Sequence, residues 1–361
     1  MSHLFDPCSF AGIPLRNKFV RSATMENMAT VDRVPSERLL DLYEELACGE
    51  VGMIITSSVR PHQDLDKVSK GKNLCIGDDR VIPEFTELVG RVHRHGSKIA
   101  MQLGSFFRYE GDMVAPSADS YLGKNSSKSP RKLEVVEIQD IVDRYGKAGK
   151  RARKAGFDAV EIHAAHGFPL SQFLSPLFNK RADKYGGSKK NRVRILLEII
   201  ESISGEAGKD WPIFVKMNTS EFLEGGFDIN DAIDAAQRMA ECGLCAIEAS
   251  GGMPPGHHCT WLGPTSKGKW VEGYFREYAA VMKAKVSVPI MLVGGLRDLR
   301  MIEEISMKGE ADLFSLCRPF IREPHLVKRW RAGDKSPAKC ISCNGCSKLL
   351  MDGDPVHCVL E

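Results

Sequence analysis

The sequence predicts an α/β protein built as one parallel (β/α)8 barrel, or TIM barrel, on two observations. Apolar, β-branched runs typical of strands alternate eight times with helix-like segments along the 361 residues. A doubly wound sheet is the alternative, but the G-x-G-x-x-G fingerprint of its nucleotide-binding form is absent. The predicted strands cover residues 19–23, 52–57, 98–103, 159–163, 213–217, 245–249, 289–293 and 312–316.

The helix-like segments between these strands carry recognisable starts and stops. Pro35-Ser36 and Asn230-Asp231 mark two helix starts, and glycines follow the last turns of several helices. The predicted helices cover residues 35–47, 82–95, 138–156, 191–204, 229–242, 273–285 and 299–308. The long connection after the third predicted strand, residues 104–136, is expected to be a lid, a binding loop or a solvated excursion.

The chain is longer than one such barrel requires, which is about 250 residues. We expect the barrel over residues 1–335 and a cysteine-rich tail packed on it over residues 336–361. The Gly, Ser and Pro residues of 333–339 mark the boundary.

Charge and hydropathy exclude several classes of partner. Lys and Arg number 50 against 47 Asp and Glu, so no charge bias favours nucleic acid or an anionic membrane. The chain has no apolar run long enough to cross a membrane, and its first residues lack a signal-peptide core. We therefore expect a cytoplasmic protein acting on small molecules, in which most of the 11 cysteines are free thiols.

Functional residues of such a barrel lie where its strands end, on the carboxyl-terminal face. Every predicted strand delivers a polar side chain or a glycine there, although loops are generally polar. These residues are Ser22 and Thr24, Ser57 and Ser58, Gln102, His163 and His166, Lys216 and Asn218, Ser250, Gly294 and Gly295, and Cys317 and Arg318.

Two histidines at the end of the fourth strand indicate chemistry at a carbonyl oxygen. His163 and His166 stand three residues apart and can donate hydrogen bonds to one oxygen that gains negative charge. Gly294, Gly295, Cys317 and Arg318, after the last two strands, suit a phosphate monoester such as that of flavin mononucleotide (FMN), with a structural turn as the alternative.

From His163 onward the chain contains three longer motifs, HAAHG at 163–167, QFLSP at 172–176 and N-x-R-x-D-x-YGGS at 179–188. Together they resemble the signature of the old yellow enzyme family of flavin-dependent oxidoreductases. The resemblance extends over nearly the whole chain, through NKFVRSAT at 17–24, QLG at 102–104, APSA at 115–118, Val215-Lys216, VGG at 293–295 and Arg318-Pro319.

This resemblance implies non-covalent FMN, with NAD(P)H as reductant and an electron-poor acceptor using the same pocket. Ser22, Ala23 and Thr24 would then lie beside the flavin, Ser58 near its edge, Gln102 and Lys216 on its pyrimidine side, and Gly294, Gly295, Cys317 and Arg318 at the phosphate. The resemblance also implies that His163 and His166 grip a carbonyl or nitro oxygen of the acceptor.

Two departures from the family pattern affect the substrate pocket. Phe168 stands where relatives commonly place the tyrosine that protonates the substrate, and it has no proton to give. Met25 stands where many relatives use Thr or Cys to tune the flavin. Tyr109, Tyr274, His257 and His258 are the other candidate proton donors, together with water.

The tail contains four cysteines in the pattern C-x2-C-x2-C-x11-C, formed by Cys340, Cys343, Cys346 and Cys358. It resembles the iron-sulfur motif of larger relatives of the dienoyl-CoA reductase and trimethylamine dehydrogenase type, with one residue fewer between the second and third cysteines. Four thiolates suit [4Fe-4S] or zinc, and free thiols are the alternative. In those relatives the cluster passes electrons to FMN from a further flavin domain, which we do not expect within these 361 residues.

Three functions remain open from the sequence. The first is reduction of an enone, nitro compound or quinone by an FMN-dependent NAD(P)H oxidoreductase. The second is an oxidative flavin dehydrogenase or demethylase, and the third is an electron-transfer or redox-sensing flavoprotein whose tail docks a redox partner. The sequence does not distinguish NADH from NADPH, and a homo-oligomer is compatible with it.

Overall fold

The computed structural model describes residues 3–62, 73–104, 108–118, 130–253, 265–266 and 269–360. Its strands, numbered in chain order, are β1 Cys8–Phe10, β2 Ile13–Leu15, β3 Phe19–Arg21, β4 Met53–Ile55, β5 Lys98–Leu103, β6 Arg108–Tyr109, β7 Asp112–Ala115, β8 Arg131–Lys132, β9 Ala159–Ala164, β10 Ile213–Asn218, β11 Ala246–Ser250, β12 Thr265–Ser266, β13 Lys269–Trp270, β14 Ile290–Val293 and β15 Leu313–Leu316.

The helices lie mainly between the longer strands. They are α1 Glu37–Cys48, α2 Ile82–Arg94, α3 Val135–Lys154, α4 Pro169–Leu174, α5 Lys189–Ala207, α6 Ile229–Glu241, α7 Arg276–Lys285, α8 Leu299–Met307, α9 Arg318–Arg322, α10 Leu326–Arg331 and α11 Gly345–Asp352. None of the described helices is long and apolar enough to span a bilayer.

Eight strands close into the predicted parallel barrel. Around the barrel their order is β3-β4-β5-β9-β10-β11-β14-β15, and β15 pairs with β3 to complete the circle. These are the eight predicted strands, and each observed boundary lies within two residues of the predicted one. The fold class is therefore confirmed.

Helix ends follow the expected capping chemistry, with one correction. Ser36 caps α1 by accepting a hydrogen bond from the Leu39 amide, as predicted. The cap of α6 is Asp228, whose carboxylate accepts from the amides of Asn230 and Asp231. The sequence placed that start at Asn230-Asp231 because Asp228 stands before the apolar repeat begins.

The inside of the barrel is apolar at the amino-terminal end of its strands. Phe214, Met53 and Met291 are fully buried there with short neighbours such as Ala100. The β1–β2 hairpin, which the sequence did not predict, packs against this layer, and the rings of Phe10 and Phe214 lie 5.7 Å apart. The hairpin and this layer form an apolar floor beneath the barrel interior.

The connection over residues 104–136 contains β6, β7 and β8, which form a small three-stranded sheet. The tail contacts the loop after β3. The Val356 amide donates to the Glu26 carbonyl oxygen (2.9 Å), and the Asn27 side chain donates to the Leu350 carbonyl oxygen (3.1 Å). The division of the chain at residue 335 stays a prediction.

Candidate functional site

A cavity of about 460 Å³ opens at the carboxyl ends of the barrel strands. This volume is within the range of small-molecule and cofactor sites. Its lining includes all the residues that the sequence assigned to the cofactor and substrate, namely Ser22, Ala23, Thr24, Met25, Ser58, Gln102, His163, His166, Phe168, Lys216, Gly294, Gly295, Cys317 and Arg318. The structure thus brings the predicted side chains together, while their individual roles remain predictions.

The strand period of two explains why polar side chains reach the barrel interior. Alternate residues of a strand point to the same side, so Ala159, Glu161 and His163 of β9 share one side. On β10 the same alternation groups Phe214, Lys216 and Asn218. The first residues of β9 and β10 therefore contribute to the apolar floor, and their last residues contribute to the polar site.

Lys216 is held from below by a buried acid and a hydroxyl. Its Nζ lies 2.9 Å from Glu248 Oε2 and donates to Ser22 Oγ at 2.9 Å, while Ser22 Oγ donates to Glu248 Oε1 at 2.8 Å. Burial alone would lower the pKa of Lys216, but the charges of Glu248 and Glu161 raise it above its ordinary value. The ammonium is therefore charged and fixed in position.

A second buried acid supports Gln102. Gln102 Nε2 donates to Glu161 Oε2 at 2.7 Å, and both residues are buried. Burial, followed by the negative charge of Glu248, raises the pKa of Glu161 well above its ordinary value. Sequence reasoning treated both acids as parts of apolar strands. The available signal was a glutamate two residues before His163 and another two residues before Ser250, on the same sides of their strands.

His163 ends the polar side of β9, and His166 lies on a tight left-handed turn directly after that strand. His166 has φ of +64° and Gly167 has φ of +75°, and a non-glycine residue rarely adopts the first value. The turn is held by Asn218 Oδ1, which accepts from the His166 amide at 3.0 Å, and by Ser250 Oγ, 2.7 Å from His166 Nε2. The two imidazole rings lie edge to face with centroids 5.4 Å apart.

Both imidazoles are electrically neutral at physiological pH. Burial, with the nearby Lys216 charge, lowers the pKa of His163 to about 3. Burial and the neighbouring His163 and Lys216 lower the pKa of His166 well below its ordinary value. A neutral imidazole offers one N–H donor and one acceptor, so the pair can bind an oxygen without carrying charge itself.

Phe168 lies in the cavity against the histidine pair, with its ring centroid 4.8 Å from that of His163. Tyr109 is excluded as a donor in this structure because its hydroxyl donates to Asp140 on α3 and it does not line the cavity. Tyr274 lines the cavity beside Gly294. The candidates His257 and His258 lie outside the described residues.

The glycine pair after β14 lines the cavity at the end of that strand. Gly294 and Gly295 both have positive φ, and a Cβ on Gly294 would lie 2.6 Å from the Tyr274 ring. Close packing is therefore a sufficient reason for glycine at position 294, which is the structural alternative to a phosphate site. Arg318 also lines this end, with its guanidinium donating to Asn344 Oδ1, so it lies beside the tail.

Two buried polar atoms of the lining lack a partner among the described residues. They are Ser315 Oγ and His163 Nδ1. Buried polar atoms are nearly always paired, so these two suit a bound polar molecule. Together with the glycine turn and the charged Lys216, they fit FMN and an acceptor oxygen. Ser315 lies within β15 and was missed because the sequence analysis treated that segment as an apolar strand.

The tail also lines the cavity through Cys346, Ser347 and Leu350. Burial raises the pKa of the Cys346 thiol to about 11. Cys358 instead accepts a hydrogen bond from Arg322 at 3.2 Å. Among the described residues no three His, Cys, Asp or Glu side chains converge as metal ligands.

Thr24 and Met25 follow β3 at the edge of the same cavity. Thr24 Oγ1 lies 3.0 Å from the Cys317 sulfur, which links the ends of two neighbouring strands. Met25 is 43% exposed, so its thioether is open to molecules entering the cavity.

Comparison with known proteins shows which proteins this chain is similar to. The NADH:flavin oxidoreductase / NADH oxidase family matches residues 3–336. An NADH oxidase of Thermoanaerobacter brockii is 35% identical over 95% of this chain and 53% of its own length. An NADPH dehydrogenase of Bacillus subtilis is 34% identical over 90% of this chain and 93% of its own length. The solved old yellow enzyme homologue of Zymomonas mobilis has a TM-score of 0.75 at 25% identity, covering 92% of this chain and 94% of that one.

The chain thus spans about half the length of the NADH oxidase and nearly all of the NADPH dehydrogenase. The family match ends at residue 336, before the four tail cysteines.

The lowered histidine pKa values predict a pH dependence of stability. An unfolded histidine takes up a proton below about pH 6.5, whereas folded His163 stays neutral down to about pH 3. The contribution of each histidine to stability is therefore full above about pH 6.5 and is lost as the pH falls. Replacing both histidines by asparagine should reduce the pH-dependent loss of unfolding free energy. The reduction should be up to about 1.4 kcal/mol per pH unit for each histidine.

The measurement is the urea unfolding free energy of the wild type and the double variant between about pH 4.5 and 7. His3→Asn, at an exposed position, is the control. Parallel pH profiles for the wild type and the double variant would contradict the neutral assignment.

Proposed function

Because this chain belongs to the NADH:flavin oxidoreductase / NADH oxidase family, we propose that it is an FMN-dependent NAD(P)H oxidoreductase acting on electron-poor acceptors. Enones, nitro compounds and quinones are the proposed acceptor classes. The observation that carries the proposal is a neutral histidine pair in the same cavity as Lys216 and the glycine turn. The names of the NADH oxidase and NADPH dehydrogenase support a nicotinamide as reductant.

The residues around the cavity divide the binding work between cofactor and acceptor. Gln102 and Lys216 would hold the polar ring edge of FMN, and the turn at Gly294 with Arg318 its phosphate. Ser22, Ala23, Thr24, Ser58 and Cys317 complete the proposed cofactor contacts. When bound, FMN supplies hydride chemistry, accepting a hydride from the nicotinamide and delivering one to the acceptor.

His163 and His166 are proposed to bind the acceptor's carbonyl or nitro oxygen. Donors fixed in a buried site stabilise the negative charge that develops on such an oxygen during hydride transfer. Asn218 and Ser250 hold the His166 turn, so the donors are oriented before the substrate arrives. The pair needs no protonation to act, because each neutral ring already carries one N–H.

A second candidate function is favoured by Phe168. Reduction of an enone ends with protonation of a carbon atom, and the residue beside the histidine pair has no proton to give. Oxidation of an amine or alcohol, or electron transfer to a partner protein, does not need that acid. These remain the alternative proposals.

We also propose the cellular compartment and the kinds of partner of this protein. The ten described cysteines are free, which agrees with a reducing, cytoplasmic compartment. The cavity accommodates a small molecule, and a redox partner or a homo-oligomer is compatible with the exposed tail residues Ile341 and Met351.

We propose that Cys340, Cys343, Cys346 and Cys358 bind a [4Fe-4S] cluster or zinc on the strength of their spacing. Four thiols are a chemically suitable set. In this structure, however, Cys358 is engaged by Arg322, and the described ligands do not converge, so no electron step is derived through them.

The cysteine proposal is tested by metal and sulfide analysis of protein purified without oxygen. We expect either iron with acid-labile sulfide or zinc, and loss of most of that metal in Cys343→Ser. Cys8→Ser, at the β1–β2 hairpin, is the control that should keep it. Wild-type protein that retains neither metal would leave the cysteines as free thiols.

The oxidoreductase proposal is tested by spectroscopy and rapid kinetics. Purified protein should carry the yellow spectrum of bound FMN, and pre-reduced protein should be reoxidised rapidly by an enone. Replacing His163 and His166 by alanine should slow that reoxidation by about 100-fold or more, because both oxygen donors are lost. FMN-containing protein whose reoxidation is unaffected by the replacement would contradict the histidine role, and protein that cannot bind FMN would contradict the function itself.

The missing acid gives a separate prediction. Phe168→Tyr should increase steady-state enone turnover by about 10-fold or more, since it adds a phenol beside His163. Phe168→Leu, which adds no proton donor, serves as the control. Equal turnover in wild type and Phe168→Tyr would show that water or another group already supplies the proton.

A further inference from the structure

Two carboxyl groups lie inside the barrel beneath the proposed flavin site, and the function proposed above does not use them. Glu161 of β9 and Glu248 of β11 are both fully buried. They flank Lys216, which comes from β10 between those two strands. An ionised carboxylate in such a place is strongly disfavoured unless a cation or several donors compensate it.

The available compensation suffices for one carboxylate. Glu248 has the ammonium of Lys216 at 2.9 Å and the hydroxyl of Ser22 at 2.8 Å. Glu161 has a single amide donor, Gln102 Nε2 at 2.7 Å, and its Oε1 has no donor among the described residues. Lys216 is thus paired directly with Glu248, and Glu161 is the acid with the poorer environment for charge.

The two carboxyl groups also act on each other electrostatically, because both are buried beside Lys216. One ammonium balances one carboxylate, so two ionised carboxylates would leave a net negative charge in this buried layer. Like charges brought together in a buried site raise the proton affinity of one member of such a pair. Glu161 is the member whose pKa is raised well above its ordinary value, by burial first and by the Glu248 charge second.

We propose that Glu161 and Glu248 hold one proton between them at neutral pH, mainly on Glu161, and so keep the Glu161–Glu248–Lys216 cluster electrically neutral. The inference rests on the proposed function where it concerns FMN. Its physical consequence is that Lys216 faces the cofactor with its charge already balanced. Both acids are then positioning residues that act on the cofactor through Lys216 and Gln102.

The groups that face this cluster come from several strands. Gln102 faces it from β5, His163 from the same strand as Glu161, and Ser22 from the end of β3. Cys317, after β15, lies near Lys216. The imidazole of His163 is neutral, so the net charge of the cluster depends on the two acids and Lys216.

Glutamine substitutions separate the shared proton from two ionised acids. If Glu161 carries the proton, Glu161→Gln replaces one neutral group by another of the same shape. In Glu248→Gln, Glu161 should give up its proton and take over the pairing with Lys216. Both single variants then keep the cluster neutral, whereas the double variant leaves Lys216 with a net positive charge.

The first measurement is infrared difference spectroscopy on FMN-free protein at pH 7. The wild type should show the carbonyl band of a buried protonated carboxylic acid, shifted in D2O, that is absent from Glu161→Gln and from Glu248→Gln. Asp231→Asn is the matched control, since this buried acid on α6 is paired with Lys189 and Arg192 and should leave the band in place. Spectra of wild type and Glu161→Gln that differ by an ionised carboxylate instead would overturn the proposal.

The second measurement is the midpoint potential of bound FMN at pH 7. The potential should rise in the double variant, because uncompensated Lys216 favours the reduced cofactor. Each single variant should shift the potential by only a small part of that rise. A rise in Glu161→Gln as large as in the double variant would overturn the proposal. Because the infrared test needs no FMN, failure of the proposed function and failure of the shared proton give different results.

Discussion

The buried pairing of Lys216 with Glu248 is the interaction on which the site depends. It holds an ammonium at the carboxyl ends of the strands, beside a histidine pair that must stay neutral. Without the acid, burial would lower the pKa of the lysine, and its ammonium would face the cavity without a compensating charge. Burial first, and the charge of Lys216 in addition, lower the pKa of both histidines, so this ion pair also contributes to keeping them neutral.

This ion pair can form because alternate residues of each strand point into the closed barrel, whose interior has an amino-terminal and a carboxyl-terminal end. The same positions that carry Ala159 and Phe214 near the floor carry His163 and Asn218 at the rim. Packing therefore accounts for the lower part of each strand, and polar chemistry for the upper part. Glu161 and Glu248 lie in the layer between the floor and the rim, where neither apolar packing nor polar chemistry alone explains a buried carboxyl group.

The sequence predicted the eight barrel strands, and the residues it assigned to the cofactor and substrate all line one cavity, since both depend on local patterns read along the chain. Of the four tail cysteines it assigned to a metal, only Cys346 lines that cavity. It did not predict the β1–β2 hairpin, because three-residue strands have too little periodicity to detect. The two glutamates escaped notice for another reason: their partners are distant in sequence, Ser22 lying 226 residues from Glu248. Tyr109 was misjudged because its contact with Asp140 depends on how the inserted sheet meets α3.

The β1–β2 hairpin also limits the directions from which the cavity can be reached. Among the described residues, Phe10 and the apolar floor close the amino-terminal end of the barrel, so a ligand reaches the cavity from the side of His166 and Met25. Under the proposed function, the nicotinamide and the acceptor would then enter from the same side and bind at the same place above the cofactor. The second molecule could bind only after the first had left, which would make alternate binding a consequence of the architecture.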